Sequence, residues 1–335
     1  MRQYTLDSFG IDNLRMRESE TPEPGPGEVR VAIKALSLNY KDLMIVEGTY
    51  NPRLALPVVP IADGAGVVSA IGDGVQSVET GQPVVIHPMV DWVDGPFRFK
   101  YHKRIVGYSL PGVASEHVVL PERAVLPVPD GFDLTDAATL PTAGLTAWNC
   151  LVEHGAIKPG QTILTLGTGG VSMFALQLGK ALGATVIITS SSDEKLAKAR
   201  ALGADHTINY KTDARWDKTV LDLTAGEGAD LTLETSGAGS FEQSTRATKA
   251  NGTVAFLGSI EGLKSEIDLR FVMMKRLTVH GIFVGSRNDF AAFTSFLSKH
   301  PIKPVIDRAF QFEQVPDALR RMKSAEHIGK IVVTM

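Results

Sequence analysis

The apolar positions of this chain change their period part-way along it. In the N-terminal part, short aliphatic runs at Val29–Ala35, Val67–Ile71, Val84–His87 and His117–Leu120 are separated by prolines and glycines. Such runs predict strands of an irregular β domain. Between them, stretches such as Pro22-Glu23-Pro24-Gly25-Pro26-Gly27 read as turns, because each proline fixes φ and removes a backbone donor. From Gln161 onward, apolar strands alternate with segments of helical period. Strands are expected at Thr162–Leu166, Thr185–Thr189, His206–Asn209, Asp230–Glu234, Thr253–Leu257 and Thr278–Val284, and helices at Val171–Leu182 and Asp193–Leu202, closed by Gly183 and Gly203. That alternation is the signature of βαβ units in a doubly wound parallel sheet. A helix at Asn288–Ser298 and a strand at Ile328–Val333 follow with no further βαβ partner, and are expected to return to the first domain.

The glycines of Gly167-Thr168-Gly169-Gly170-Val171 stand between a predicted strand and a predicted helix, the context that gives such a pattern meaning. Gly167 permits a tight turn and Gly169 a close approach of backbone to a pyrophosphate. The helix starting near Gly170 and Val171 offers unpaired N–H groups and the positive end of its dipole. Ser172 stands where the usual fingerprint has a third glycine, and is small enough to keep helix and strand close. Near the end of the next strand, an NAD site normally places an acidic residue for the ribose hydroxyls. Here the residue is Ser190, followed by Ser191, Ser192 and Lys195, a set of hydroxyls and a cation suited to a 2′-phosphate that a carboxylate would repel. NADP(H) is therefore favoured over NAD. Ser191 with Glu194 reads as a capping box that starts the second helix, and Tyr210 with Lys211 reads either as an adenine-side contact or as plain surface.

Composition narrows the alternatives. With 335 residues, 44% hydrophobic and 21% charged, the chain exceeds one comfortable core, which predicts two domains. These read as residues 1–123 with 287–335, and residues 124–286. A net charge of −3 without a basic block argues against nucleic acid, and the lack of a long apolar span or charged-then-apolar leader argues against a membrane and for the cytoplasm. One cysteine, Cys150, excludes an intrachain disulfide and reads as a small buried apolar group. The aromatics Trp92, Phe97, Phe99 and Tyr101 fit either a substrate lid or local packing.

Asn39-Tyr40-Lys41-Asp42, Glu47-Gly48-Thr49-Tyr50, Gly144-Leu145-Thr146-Ala147, Gly167–Val171, Ala201-Leu202-Gly203-Ala204-Asp205 and Phe283-Val284-Gly285-Ser286-Arg287 resemble the medium-chain dehydrogenase/reductase superfamily, and more closely its zinc-free, quinone oxidoreductase-like branch. The resemblance spans nearly the whole chain. It implies a GroES-like domain made from both chain ends, a central Rossmann domain, a nicotinamide site in the cleft between them, and a homodimer or homotetramer. It places Thr142, Thr146, Gly258, Phe283, Val284, Ser286 and Lys330 near the cofactor. The zinc alcohol dehydrogenases of that superfamily have Cys, His and Cys at three places where this chain has Asn39, Ala62 and apparently Ala138, so no metal is expected. His87, His102 and His117 are too scattered to replace them. Tyr50 resembles a proton-donating tyrosine of enoyl-thioester reductases, with Asn39 and Asp42 lining or bracing the pocket. The reaction implied is NADPH-dependent reduction of a quinone or α,β-unsaturated carbonyl. NADP-linked alcohol oxidation or aldehyde reduction, and a silent NADPH-binding sensor, are the alternatives.

Overall fold

Alternation of buried and half-buried residues along Glu28–Ile33, followed by the buried Ala35–Ser37, makes the ten-residue strand Glu28–Ser37 the spine of the first unit. Val29, Val31, Ile33 and Leu36 enter a core that excludes water almost completely. In the computed structural model, which describes residues 1–300 and 302–335, the chain opens with a hairpin of β1 (Arg2–Leu6) and β2 (Leu14–Glu18). It continues through the spine β3 (Glu28–Ser37), helix α1 (Tyr40–Val46), β4 (Asp63–Ile71), β5 (Pro83–Ile86), β6 (His117–Pro121) and β7 (Val125–Pro127).

The second unit, Thr146–Gly285, is a six-stranded parallel sheet. Its strands are β8 (Thr162–Thr165), β9 (Thr185–Ser190), β10 (His206–Asn209), β11 (Ala229–Glu234), β12 (Thr248–Phe256) and β13 (Thr278–Gly281). Their order, β10-β9-β8-β11-β12-β13, is the 3-2-1-4-5-6 arrangement of a dinucleotide-binding fold. Helices α2 (Gly170–Ala181), α3 (Asp193–Ala201), α4 (Trp216–Leu223) and α5 (Ala238–Ala247) make the crossovers.

The chain then returns to the first unit, Met1–Leu145 with Ser286–Met335, through α6 (Arg287–Leu297), β14 (Ile306–Gln311), α7 (Val315–Lys323) and β15 (Lys330–Thr334). The first unit's main sheet runs β14-β15-β3-β4-β5-β7, with β6 also paired to β3. β14 and β15 pair in parallel across α7, so the C-terminal segment does carry a βαβ unit, contrary to the sequence expectation. The strand was missed because Ile306–Gln311 includes two charged residues and only two buried or half-buried apolar positions, Ile306 and Phe310, too little for an alternating pattern. Residues 124–145, read from sequence as the start of the nucleotide-binding domain, pack with the first unit: β7 pairs with β5, and Thr142 bonds to Asp63. A further correction concerns α3. Its cap is Ser192, not Ser191, for the Ser192 hydroxyl accepts from the Lys195 N–H at 3.4 Å.

Register brings three chain segments to one place. β15 pairs with β3 so that Val332 lies opposite Ser37, and β4 pairs with β3 so that Asp63 does too. Lys330, Asp63 and the residues just past Ser37 therefore share one corner of the first unit.

Candidate active site

That corner is a cluster of buried charge. Asn39 begins α1, and Asp42, three residues on, accepts the Asn39 N–H at 2.8 Å and the Ala62 N–H at 3.2 Å. The Asp63 carboxylate accepts the Thr142 hydroxyl at 2.6 Å and the Thr142 N–H at 3.1 Å. Thr142 belongs to a wide helical turn at Leu140–Gly144, entered through Pro141, which leaves its N–H free to point sideways. Lys330 donates to the Leu38 carbonyl and to Asn39 Oδ1, both at 2.6 Å. Asp42 and Asp63 are fully buried and Lys330 is 3% exposed, so each depends on the others to remain charged.

The electrostatics follow from that burial. Desolvation pushes the Asp42 carboxyl up to about 6, against the pull of Lys41, the Asn39 N–H and Lys330. Asp63 is also raised by burial, and Lys330, Thr142 and the Asn39 amide oppose the rise. Lys330 and Lys41 are both lowered by desolvation, with the two aspartates as counter-ions. Two cations thus face two carboxylates.

Backbone strain marks the same corner. Ile61, fully buried and β-branched, has φ 73, a conformation that costs about 1–3 kcal/mol. It is held because its carbonyl accepts the Val113 N–H at 2.9 Å while Asp42 holds the next N–H. Gly112 makes the approach possible: a Cβ there would lie 2.2 Å from the Pro60 oxygen.

Tyr50 is half-buried on the loop after α1, its ring edge-on to Tyr108 at 5.3 Å, and Asn51 donates to the Tyr108 hydroxyl at 2.9 Å. Burial raises the Tyr50 phenol above its usual value, so it carries its proton at neutral pH. Trp92, Phe97 and Tyr101 pack on one another at 5.1–6.2 Å, which favours local packing for that loop over a lid.

In the second unit, the turn after β8 is open. Gly167 has φ 72, and its N–H reaches the Thr189 hydroxyl at 3.2 Å. Gly169 has extended backbone that any residue adopts, and a Cβ there would meet nothing within 4 Å. No contact within the chain therefore demands glycine at this position. Gly169 is also the N-cap of α2 and caps it with no side chain, whereas Ser192 and Ser286 cap α3 and α6. Gly170 and Val171 start the helix, and Ser172 bonds back to the Leu166 carbonyl at 2.7 Å. Uncapped N–H groups beside open space fit a phosphate.

Ser190, at the end of β9, is 2% exposed, with its hydroxyl 3.4 Å from that of Thr168 in the glycine turn. Ser191 and Lys195 are half-buried, and Tyr210, bonded through its N–H to the Ser190 carbonyl, is 39% exposed. Thr146 is buried. Gly258 lies against Thr235, whose carbonyl oxygen would be 1.6 Å from a Cβ, so packing alone accounts for that glycine. Beyond β13, Phe283 is half-buried and Val284 holds φ 60, a second strained β-branched residue. Ser286 and Asp289 form a reciprocal cap on α6 in the first unit.

Sequence reasoning picked out Asn39, Asp42, Thr142 and Lys330 but missed Asp63, which links them. Its only signal was an acidic residue in an otherwise apolar run, Val58–Val68. Ala138, assigned as the third vacated metal position, is fully buried behind a helix end, and the residue of that segment that reaches the cluster is Thr142. Among the described residues, no three His, Cys, Asp or Glu side chains are grouped to hold a metal ion. Nor does any helix among them have the length and apolarity to cross a membrane.

Comparison with known proteins gives one consistent picture. A family model for zinc-binding dehydrogenases matches residues 170–299, and one for the alcohol dehydrogenase GroES-like domain matches residues 25–130. A zinc-type alcohol dehydrogenase-like protein of Schizosaccharomyces pombe is 40% identical over 97% of this chain and 96% of its own length. Among solved structures, a candidate alcohol dehydrogenase from Sinorhizobium meliloti 1021 shares 37% identity with a TM-score of 0.93, covering 100% of this chain and 98% of the other. An NAD-dependent alcohol dehydrogenase shares 34% identity with a TM-score of 0.92 over 100% of both chains.

Proposed function

Because the chain belongs to the medium-chain dehydrogenase/reductase superfamily, whose members are NAD(P)-dependent oxidoreductases, we propose that it is an NADPH-dependent, zinc-free reductase of quinones or α,β-unsaturated carbonyls. The observation that carries this reading is the buried Asn39–Lys330–Asp63–Thr142 network, at Asn39 and beside Ala62, two of the positions where the resemblance places zinc ligands. Its donor set does not suit Zn²⁺. Asn39 and Ala62 replace thiolate and imidazole, and the Lys330 ammonium already supplies a positive charge that would repel a second cation.

The residues present fit NADP(H) in the second unit: the open turn at Gly167–Gly169 and the uncapped start of α2, with Gly170 and Val171, for the pyrophosphate, and Ser190, Ser191, Lys195 and Tyr210 for the adenosine end. Ser190 at the end of β9 leaves no carboxylate to oppose a 2′-phosphate. Thr142, Thr146, Gly258, Phe283, Val284 and Ser286 remain the positions assigned to the nicotinamide side, whereas Lys330 is engaged with Leu38 and Asn39. When bound, the cofactor supplies a hydride, which an enone accepts at its β-carbon while a proton reaches its α-carbon. In this chain, Asn39 donates a hydrogen bond to the substrate oxygen where charge gathers, Asp42 holds α1 in place, and the protonated Tyr50 phenol supplies the proton. The test is NADPH oxidation by the purified protein with a panel of quinones, enals and enones. Consumption with at least one acceptor is expected, and none across the panel would defeat the reading.

The alcohol dehydrogenase relatives favour a second reading, NADP-linked alcohol oxidation or aldehyde reduction. Alcohol-dependent NADPH formation exceeding enone reduction would select it. A cytoplasmic homodimer or homotetramer is also proposed. In its support, β13 is a sheet edge, and Leu263, Leu269, Met273 and Met274, all in the segment leading to it, are 61–72% exposed.

A further inference from the structure

A buried asparagine can present either end of its carboxamide, and which end faces outward decides whether it donates or accepts. At Asn39 the choice is made by a neighbour. The Lys330 ammonium has three donors and no acceptor, so only Oδ1 can face it, and the two meet at 2.6 Å. Reversing the amide would set two donors against each other in a region closed to water. Lys330 cannot easily withdraw, since it also donates to the Leu38 carbonyl at 2.6 Å and is nearly fully buried. Asn39 Nδ2 is left on the other side. It is buried, lies on the Asp63 side closely enough to favour that carboxylate's charge, and has no partner at normal hydrogen-bond geometry. A buried donor left in this state calls for a functional explanation.

We propose that Lys330 is a positioning residue that holds the Asn39 carboxamide with Oδ1 toward itself and its N–H groups turned away, on the Asp63 side, making Asn39 Nδ2 the donor to the substrate oxygen. The proposal rests on the reductase reading above and names the residue that makes its oxyanion donor available. Lys330 acts through Asn39 and not on the cofactor. Its counter-ions keep this possible: Asp63, fixed by two bonds from Thr142, and Asp42, fixed by two backbone N–H groups, balance a charge that would otherwise be expelled.

A double-mutant cycle tests the coupling. In wild-type background, Lys330→Met is expected to lower kcat about tenfold or more and to change the dissociation constant of NADPH by less than about twofold. In Asn39→Ala background, the same change is expected to alter kcat by less than about twofold, because the group it orients is gone. Lys330→Arg, which keeps a donor-only cation, is expected to restore most of the rate. Additive effects of the two substitutions overturn the proposal, as does a tenfold loss of NADPH affinity at unchanged kcat. If Lys330→Met fails to fold, Asn39→Asp replaces it: the carboxylate pairs with Lys330 but has no N–H, and kcat is expected to fall as far as in Asn39→Ala. A second readout needs no turnover. In ¹⁵N-labelled protein, the side-chain amide signal of Asn39, identified by its loss in Asn39→Ala, is expected to persist in Lys330→Arg and to shift or broaden in Lys330→Met. An unchanged signal overturns the lock. A wild type inactive toward every acceptor defeats the reductase reading alone, and the amide signal then decides the role of Lys330.

Discussion

Asp42 carries the clearest consequence of placing single charges out of water. In the fold its carboxyl is pushed up to about 6 from an ordinary 3.8, so the folded chain holds this proton more tightly than the unfolded one. Between pH 4 and 6, the unfolded chain has already released a proton that the folded chain retains, and this contribution to stability is lost as pH rises through about 6. Asp42→Asn lacks the titration. Its unfolding temperature relative to wild type is expected to move in the variant's favour from pH 4 to 7, read by thermal melts at matched ionic strength. A constant difference over that range would show that Asp42 stays ionised in the fold. Little of this was legible beforehand. Asn39 and Asp42 stood out as a motif, yet their burial, and the joining of Lys330 and Asp63 to them, come from residues 291 and 79 positions distant from their bonding partners.

Helix starts and strand ends separate glycines that serve a ligand from those that serve packing. Gly169→Ala adds a methyl group that meets no protein atom within 4 Å, so the apo protein should unfold as wild type does while NADPH affinity falls about tenfold. Isothermal titration and denaturant melts on one preparation separate the two effects. Gly258→Ala should do the opposite and lower stability by at least about 2 kcal/mol, because its Cβ would stand 1.6 Å from the Thr235 oxygen. Ser286→Ala should cost about 1 kcal/mol through the lost cap on α6. Sequence pattern located most elements of the second unit, since β8 and β9 have apolar or β-branched runs and the helices α2 and α3 are closed by glycines with positive φ, Gly183 and Gly203. It placed the start of α3 at Asp193 but gave its cap to Ser191, because two adjacent serines offer equivalent caps and only the backbone selects Ser192.

At the scale of the whole molecule, a dinucleotide that binds only the folded protein must raise its stability by mass action, by about 2.7 kcal/mol at a hundred times its dissociation constant. NADPH should therefore raise the unfolding temperature more than NADH at equal concentration, and equal shifts would discredit the Ser190–Lys195 reading. Light scattering after size exclusion should give a mass of at least twice 36.0 kDa, and a monomer would leave the exposed Leu263–Met274 surface without the proposed partner. The sequence by itself determined the two-domain plan, the parallel sheet and its glycine turn, because periodicity and φ preference act over a few neighbouring residues. Only the tertiary structure decided that Lys330, expected beside the cofactor, grips Asn39, and that Asp63 and Thr142 complete the same cluster. The pairing of β15 and β4 with β3 brings these distant side chains together, and their partners fix them because buried charge has no water to turn to.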